Sequence, residues 1–232
     1  MEHFLLLDTE TANEMPDNLV YDFGFTVINE LGEVCKTGSY VINDIFFDEK
    51  ELMESAYFAE KIPNYIEDIK QGKRKVCTLN QARIVTRDVM AEFKIDTVLA
   101  YNVNFDNRAL NKTQRYLTKS KYRWFFPFGT QFECIWNMAC QVICSDVDYI
   151  KWAIENKKFS PSGKYISTSA ETVYAYLTDE VAFVESHTGL EDCIIEGKIF
   201  AECIAKNQPM ERKADNQCWR KPTKIAKELG LL

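Results

Sequence analysis

Histidine is scarce in this 232-residue chain, with two residues, and none of the eight cysteines forms a C-x-x-C pair. Neither histidine stands near enough to a cysteine for a zinc-ligand spacing, which excludes a zinc finger or ribbon. No G-x-x-x-x-G-K-[ST] occurs, so a phosphohydrolase built on a P-loop is excluded as well. No apolar run approaches the roughly 18–20 residues that span a bilayer, and no membrane partner is expected. The apolar run at residues 4–7 is four residues long and meets Asp8 at once, unlike a signal peptide, so a cytoplasmic location is the expectation. Repeats and low-complexity tracts are lacking too. The cysteines then read as small core residues in a reducing compartment, with Cys140 and Cys144 on one helical face.

Net positive charge is also lacking: 28 Lys and Arg face 35 Asp and Glu, a balance of −7. The sum conceals an uneven distribution. Residues 107–132 hold six basic side chains (Arg108, Lys112, Arg115, Lys119, Lys121, Arg123) and no acidic one. A second basic stretch runs from Lys206 to Lys227, with seven basic residues against two acidic. Solvated helix faces often look like this, so the pattern permits a phosphate-rich partner without demanding one.

What is present is a chain patterned for an α/β domain. Residues 3–8 read as a buried strand, and residues 20–28 and 33–42 as β-rich segments joined by a short loop at Gly32. A helix is expected over residues 48–60, broken near Pro63, and another over residues 80–93, where Ile84, Val85, Val89 and Phe93 share a face. Residues 97–101 form a short strand, with a helix over 105–117 behind it. Helices follow over residues 134–144, 148–156, 169–177 and 189–206. The expectation is a central mixed sheet of about five strands flanked by helices. Residues 1–206 form the main domain and residues 207–232 a basic, partly helical appendage.

Three short acidic segments carry the chemistry. Asp8-Thr9-Glu10 ends the first strand, and residues two apart on a strand point the same way. Two carboxylates so placed repel unless a cation sits between them, and a hard divalent ion takes such oxygen ligands. Asn102-Val103-Asn104-Phe105-Asp106 puts another carboxylate just past a strand end, at a helix start. In His187-Thr188-Gly189-Leu190-Glu191-Asp192, Thr188 and Glu191 have capping-box spacing. That spacing starts a helix at Gly189, with Asp192 in its first turn and His187 just before it. Histidine is suited to taking a proton from water near neutral pH.

Taken together, these segments resemble the DnaQ-like exonucleases, specifically the DEDDh branch. That family carries D-x-E in a first strand, N-x-x-F-D about a hundred residues later and H-x-x-x-x-D near the end. Asp8, Glu10, Asp106, His187 and Asp192 match in type and order, and the resemblance covers about residues 1–206. The sister branch has tyrosine four positions before its last aspartate, where this chain has Thr188. Two departures stand out: Thr11-Ala12-Asn13 replaces T-T-G after the first motif, and Tyr101 replaces a frequent histidine before Asn102.

The resemblance implies an RNase H-like fold and two divalent cations, Mg²⁺ or Mn²⁺, clamping the scissile phosphate. Asp8 would bridge both ions, Glu10 and Asp192 would hold the one nearer the attacking water, and Asp106 would support the other. His187 would take the proton from that water, and a mononucleotide would leave the 3′ end of a nucleic acid, single-stranded DNA before RNA. Thr11, Ala12, Asn102 and Phe105 would meet the terminal nucleotide, while Lys112, Arg115 and Lys119 would meet the strand's backbone. The alternatives are an exoribonuclease of the same fold and a nuclease-like module without catalysis that tethers a nucleic acid, a polymerase or another replication partner.

Overall fold

Alternation along the first strand builds two cores from one segment. The structure, a computed structural model, describes residues 2–12, 18–56 and 58–232. Strands β1 (His3–Ala12), β2 (Leu19–Asn29) and β3 (Val34–Ile42) form an antiparallel meander. Phe4 and Leu6 enter the core on one face of the sheet, and Leu5 and Leu7 enter the core on the other. The sheet is therefore buried on both sides, which explains the unbroken apolar run.

Short helices α1 (Asn43–Phe46), α2 (Lys50–Glu54) and α3 (Ile62–Lys70) lead to a brief strand β4 (Lys75–Cys77). Helix α4 (Leu79–Phe93), strand β5 (Thr97–Ala100), helix α5 (Val103–Thr118) and strand β6 (Gln131–Cys134) follow. The rest is helical: α6 (Ile135–Val142), α7 (Val147–Glu155), α8 (Ala170–Thr178), α9 (Gly189–Ala205) and α10 (Lys221–Glu228). The sheet order is β4-β3-β2-β1-β5-β6, mixed in direction, with β5 parallel to β1.

Six strands stand where about five were expected. The edges β4 and β6 are three and four residues long, too short for a period of two to declare itself. The helix expected over residues 48–60 is instead α2, a 3₁₀ turn at Ala59–Lys61 and α3. Pro63 lies in the first turn of α3, where its missing N–H costs nothing; it opens a helix rather than breaking one.

Beyond residue 206 the chain lies against α6 and α7. The Cys134 N–H donates to the Arg212 carbonyl at 2.7 Å, and Asn137 Nδ2 donates to the carbonyls of Glu211 and Lys213. Cys218 is buried, and the Ile166 N–H donates to Thr223 Oγ1 at 2.8 Å. Six of the eight cysteines are buried and free of disulfides, including Cys140 and Cys144 on α6 and in the turn after it.

Candidate active site

The carboxyl ends of the parallel strands β1 and β5 meet at the middle of the sheet, where open α/β sheets place their ligand crevices. Asp8 and Glu10 leave β1 on the face that packs on α9. Thr9, pointing the other way, donates from its N–H (3.1 Å) and its hydroxyl (2.8 Å) to Asp106 Oδ1. The middle residue of D-x-E thus pins the third carboxylate, at the start of α5, against the first two.

Asp192 reaches the site because two glycines let backbones touch. Gly24 pairs with Asp8 across β1 and β2, and the first turn of α9 rests on it. A Cβ on Gly189 would come within 2.6 Å of the Gly24 nitrogen, and one on Gly24 would collide with the Gly189 carbonyl. The approach is locked by Asp22, fully buried on β2. Its Oδ2 accepts from the Gly189 N–H (3.0 Å), the Tyr65 hydroxyl (2.7 Å) and Arg74 Nη1 (3.2 Å). Arg74, itself buried, also pairs with Asp68 and with Glu191 at 2.9 Å.

That network changes the expected cap. The helix does begin at Gly189, but no capping box forms. Thr188 Oγ1 donates to Glu191 Oε2 at 2.8 Å instead of accepting from the backbone, because Glu191 is drawn toward Arg74. The first N–H groups go to carboxylates: that of Gly189 to Asp22, and that of Thr188 to Asp192 Oδ2 at 3.1 Å. Ser186 Oγ holds the other Asp192 oxygen at 3.1 Å.

His187 sits in the left-handed region at φ 50°, on the loop before α9. Its ring stacks on Phe58, with centroids 4.7 Å apart and planes at 20°. Lys61 lies 4.0 Å from the same Phe58 ring and donates to the Ser186 carbonyl at 2.7 Å. The turn at residues 58–61 therefore clamps the histidine loop.

Asp8, Glu10, Asp106, His187 and Asp192 all line one cavity of about 590 Å³, together with Asn102 and Phe105. Tyr101, Trp136 and Trp219 supply aromatic walls. Thr11 does not line it, and Ala12 is fully buried in the core, which withholds its side chain from any ligand. Asn13, which stands where the family has glycine, lies outside the described residues. Lys112 and Arg115 line a separate hollow along α5, and Lys119 is exposed at the end of that helix.

The electrostatics are those of a site built for cations. Burial, then repulsion by Asp192 and Asp22, pushes Glu10 up to about 8. Burial pushes Asp106 up to about 7 against the pull of Thr9, and Asp192 up to about 6. Asp8 is raised well above the carboxylate range by burial and by Glu196, Asp106, Glu10 and Asp192. His187 moves the other way: burial and then Lys61 lower it, so the imidazole is neutral at pH 7. Ligand atoms of Glu10, His187 and Asp192 lie within 4.8 Å of one another, close enough to hold one ion. Four carboxylates and one imidazole suit a divalent ion that accepts oxygen with some nitrogen.

Two acids in this cavity escaped the sequence reading. Glu196, four residues after Asp192 and so on the same face of α9, is buried and accepts the Tyr101 N–H at 3.1 Å. Its i,i+4 spacing was a readable signal. Glu185, raised to about 8 by burial and then Asp192, lies two residues before His187. Arg74, Lys61 and Phe58 join the site from remote loops, with no local pattern to mark them.

No protein-family model and no curated protein matches the chain. Among solved structures it is similar to the zinc-bound form of the E. coli ExoI–single-stranded DNA complex, with a TM-score of 0.52 at 15% sequence identity. The match covers 90% of this chain and 41% of that one, so the chain spans less than half of ExoI's length. The fold is RNase H-like: among the described residues, a mixed six-stranded sheet flanked by helices.

Proposed function

We propose that this chain is a metal-dependent 3′–5′ exonuclease that releases nucleoside monophosphates from single-stranded DNA ends. The observation that carries the reading is the single cavity at the ends of β1 and β5. It gathers four carboxylates whose proton affinities are raised, beside an imidazole whose affinity is lowered. Such a cluster lacks positive charge, and divalent cations are what neutralise it. The ExoI complex, a protein of the same fold with single-stranded DNA bound, supports the choice of substrate.

Two divalent cations, Mg²⁺ or Mn²⁺, would be held by Asp8, Glu10, Asp192 and Asp106, the last fixed by Thr9, and would supply charge neutralisation at the scissile phosphate. His187 takes the proton of the attacking water on an imidazole nitrogen. The water oxygen bonds to phosphorus, the bond to the 3′-oxygen of the preceding nucleotide breaks, and a mononucleotide leaves. Ser186 and the Thr188 N–H keep Asp192 oriented, and Phe58 holds the imidazole plane. Tyr101, Phe105, Trp136 and Trp219 wall the space for the terminal nucleotide.

The test is digestion of 5′- and 3′-labelled single-stranded DNA and RNA oligomers with Mg²⁺ or Mn²⁺, and with chelator. A 5′ label should give a descending ladder, a 3′ label a mononucleotide from the first turnover, and chelator should stop both. Cuts in a circular single strand, or full activity in chelator, would overturn the proposal. Preferential loss of the RNA would move the substrate to RNA.

A further inference from the structure

Phe128 is wholly exposed, Tyr122 is 79% exposed and Trp124 58%, an unusual display of large rings for one loop. The display is held in place, since the intervening Phe125 and Phe126 are buried. The Phe125 N–H donates to Asn111 Oδ1 at 2.9 Å, and Arg83 Nε donates to the Trp124 carbonyl at 3.1 Å. Cations accompany the rings. Arg115 lies 4.4 Å from the Trp124 centroid, Lys119 4.2 Å from Tyr116 and Lys121 5.2 Å from Tyr122.

Trp124 also stands between two hollows of about 390 Å³ each. One is walled by Phe126, Pro127 and Phe128, the other by Arg108, Lys112 and Arg115. An apolar slot with a stacking ring on one side and three cations on the other matches a nucleotide, base against base-sized apolar walls and phosphate against the cations. The cations follow α5 at spacings of four, three and four residues (Arg108, Lys112, Arg115, Lys119), a single stripe on the helix whose first turn carries Asp106. From Asp106 to Arg115 the helix rises about 14 Å. That is roughly four nucleotides at the 3.4 Å rise of a stacked strand.

We infer that the ring-and-cation surface built by α5 and residues 122–128 is a second binding site for single-stranded nucleic acid. It would hold the strand several nucleotides upstream of the end in the acidic cavity. The inference rests on the exonuclease reading for the direction of the strand, not for the chemistry of the surface. Charge decides the occupant: every charge that residues 107–132 bring to the surface is positive, and Glu49, which accepts from the Tyr116 hydroxyl at 2.6 Å, stands at its far end, away from Trp124 and the Arg108–Arg115 hollow. Anchoring the strand away from the cavity also answers a physical need, because the cavity itself is acidic.

The experiment compares wild type with the Trp124→Ala/Phe128→Ala double variant, using 3-mer and 12-mer oligothymidylate. Fluorescence anisotropy of a labelled 12-mer in chelator reads binding alone. Initial rates with Mg²⁺ on both lengths read KM and kcat. Stacking on an aromatic ring is sequence-tolerant and strong enough that each ring should matter about tenfold or more. The double variant, which loses two rings, should therefore bind the 12-mer about 100-fold more weakly or beyond and raise its KM with kcat unchanged. Its turnover of the 3-mer, which cannot reach the surface, should equal wild type. Trp124→Phe, which keeps a ring, should recover part of the 12-mer affinity. Undiminished 12-mer affinity, or an equal loss for both lengths, would overturn the inference, as would altered self-association in sedimentation with normal DNA binding. If the wild type binds the 12-mer through these rings but degrades neither length, the surface stands and the nuclease reading falls.

Discussion

Helix α5 joins two regions of opposite electrostatic design. Its first turn enters a cavity where Asp8, Glu10, Asp106, Asp192 and Glu196 are crowded together, sheltered from water and short of cations. Its outer flank carries four basic residues, Arg108 and Lys119 exposed and Lys112 and Arg115 half-buried, interleaved with rings. A net charge of −7 therefore says little about the ligand. Buried acids count against a polyanion only until cations neutralise them, whereas surface bases attract it with or without bound metal. On the proposed reading the acidic end would meet a phosphate through an ion it must borrow, and the basic flank would do so directly.

Removing an acid from the first region should have the largest effect. Asp8→Ala should take turnover of a 5′-labelled oligomer below detection, even at saturating Mg²⁺ or Mn²⁺. Its metal-free fold should be at least as stable as wild type, because repulsion is relieved. The pH dependence carries the sign. Folded carboxylates raised to about 6, 7 and 8 keep protons that the unfolded chain has already released. Their contribution is thus complete below the ordinary carboxylate pKa near 4 and is lost as pH rises through about 6 to 8. Thermal melts of wild type in chelator should fall across that window, and those of Asp8→Ala should fall less. Wild-type turnover in the variant would remove Asp8 from the metal site.

His187→Ala comes next, with an expected loss in kcat of about 10²–10⁴. If His187 is the base, its lowered proton affinity should make wild-type kcat rise with pH through a midpoint below the ordinary imidazole value and level off above it. The variant should lack that limb. Its ring also lies close enough to Glu10 and Asp192 to touch the same ion, so the metal titration separates two roles. An unchanged metal midpoint with a lost limb marks a base; a weakened midpoint with the limb retained marks a ligand.

How much of this was legible depended on how far apart in the chain the partners lie. The meander, β5 and the beginning of α9 are written in local periods and spacings, and so is the common face of Asp8 and Glu10. The resemblance then assembled the five residues that the structure brings to one cavity. What stayed illegible is long-range. Thr9 bonds a residue 97 positions away, and Gly24 needs to be bare because of Gly189. The cap at Thr188 differs from its sequence pattern because Arg74, from a distant loop, competes for Glu191. Nothing in the local sequence marks the rings at Trp124 and Phe128 as exposed; only the fold leaves them outside.

Behind the acidic cavity, where Asp22 docks α9, Arg74 is a permanent cation rather than a borrowed one. Its side chain is 3% exposed and faces the fully buried Asp22. Removing one partner of such a pair strands the other charge, at a cost of about 3–5 kcal/mol. Arg74→Ala should lose stability on that scale in urea unfolding with metal present or absent, unlike Asp8→Ala. Equal stability would show that the Asp22 bonds to Tyr65 and Gly189 suffice to dock α9.

The smallest effect belongs to the basic flank, because each exposed cation contributes little and salt screens it. Lys112, Arg115 and Lys119 replaced together by Gln should weaken 12-mer binding while leaving kcat at saturation unchanged. The diagnostic quantity is the slope of log affinity against log salt, since every phosphate neutralised on a single strand contributes about −0.7. Three lost contacts should flatten that slope by about 2, whereas the Trp124→Ala/Phe128→Ala variant should weaken binding with the slope preserved. Arg115 belongs to both sets through its contact with Trp124, so a slope change smaller than 2 would locate it with the ring rather than with a phosphate. An unchanged slope in the triple variant would make the flank a solvated helix face and leave the strand to be held by stacking alone.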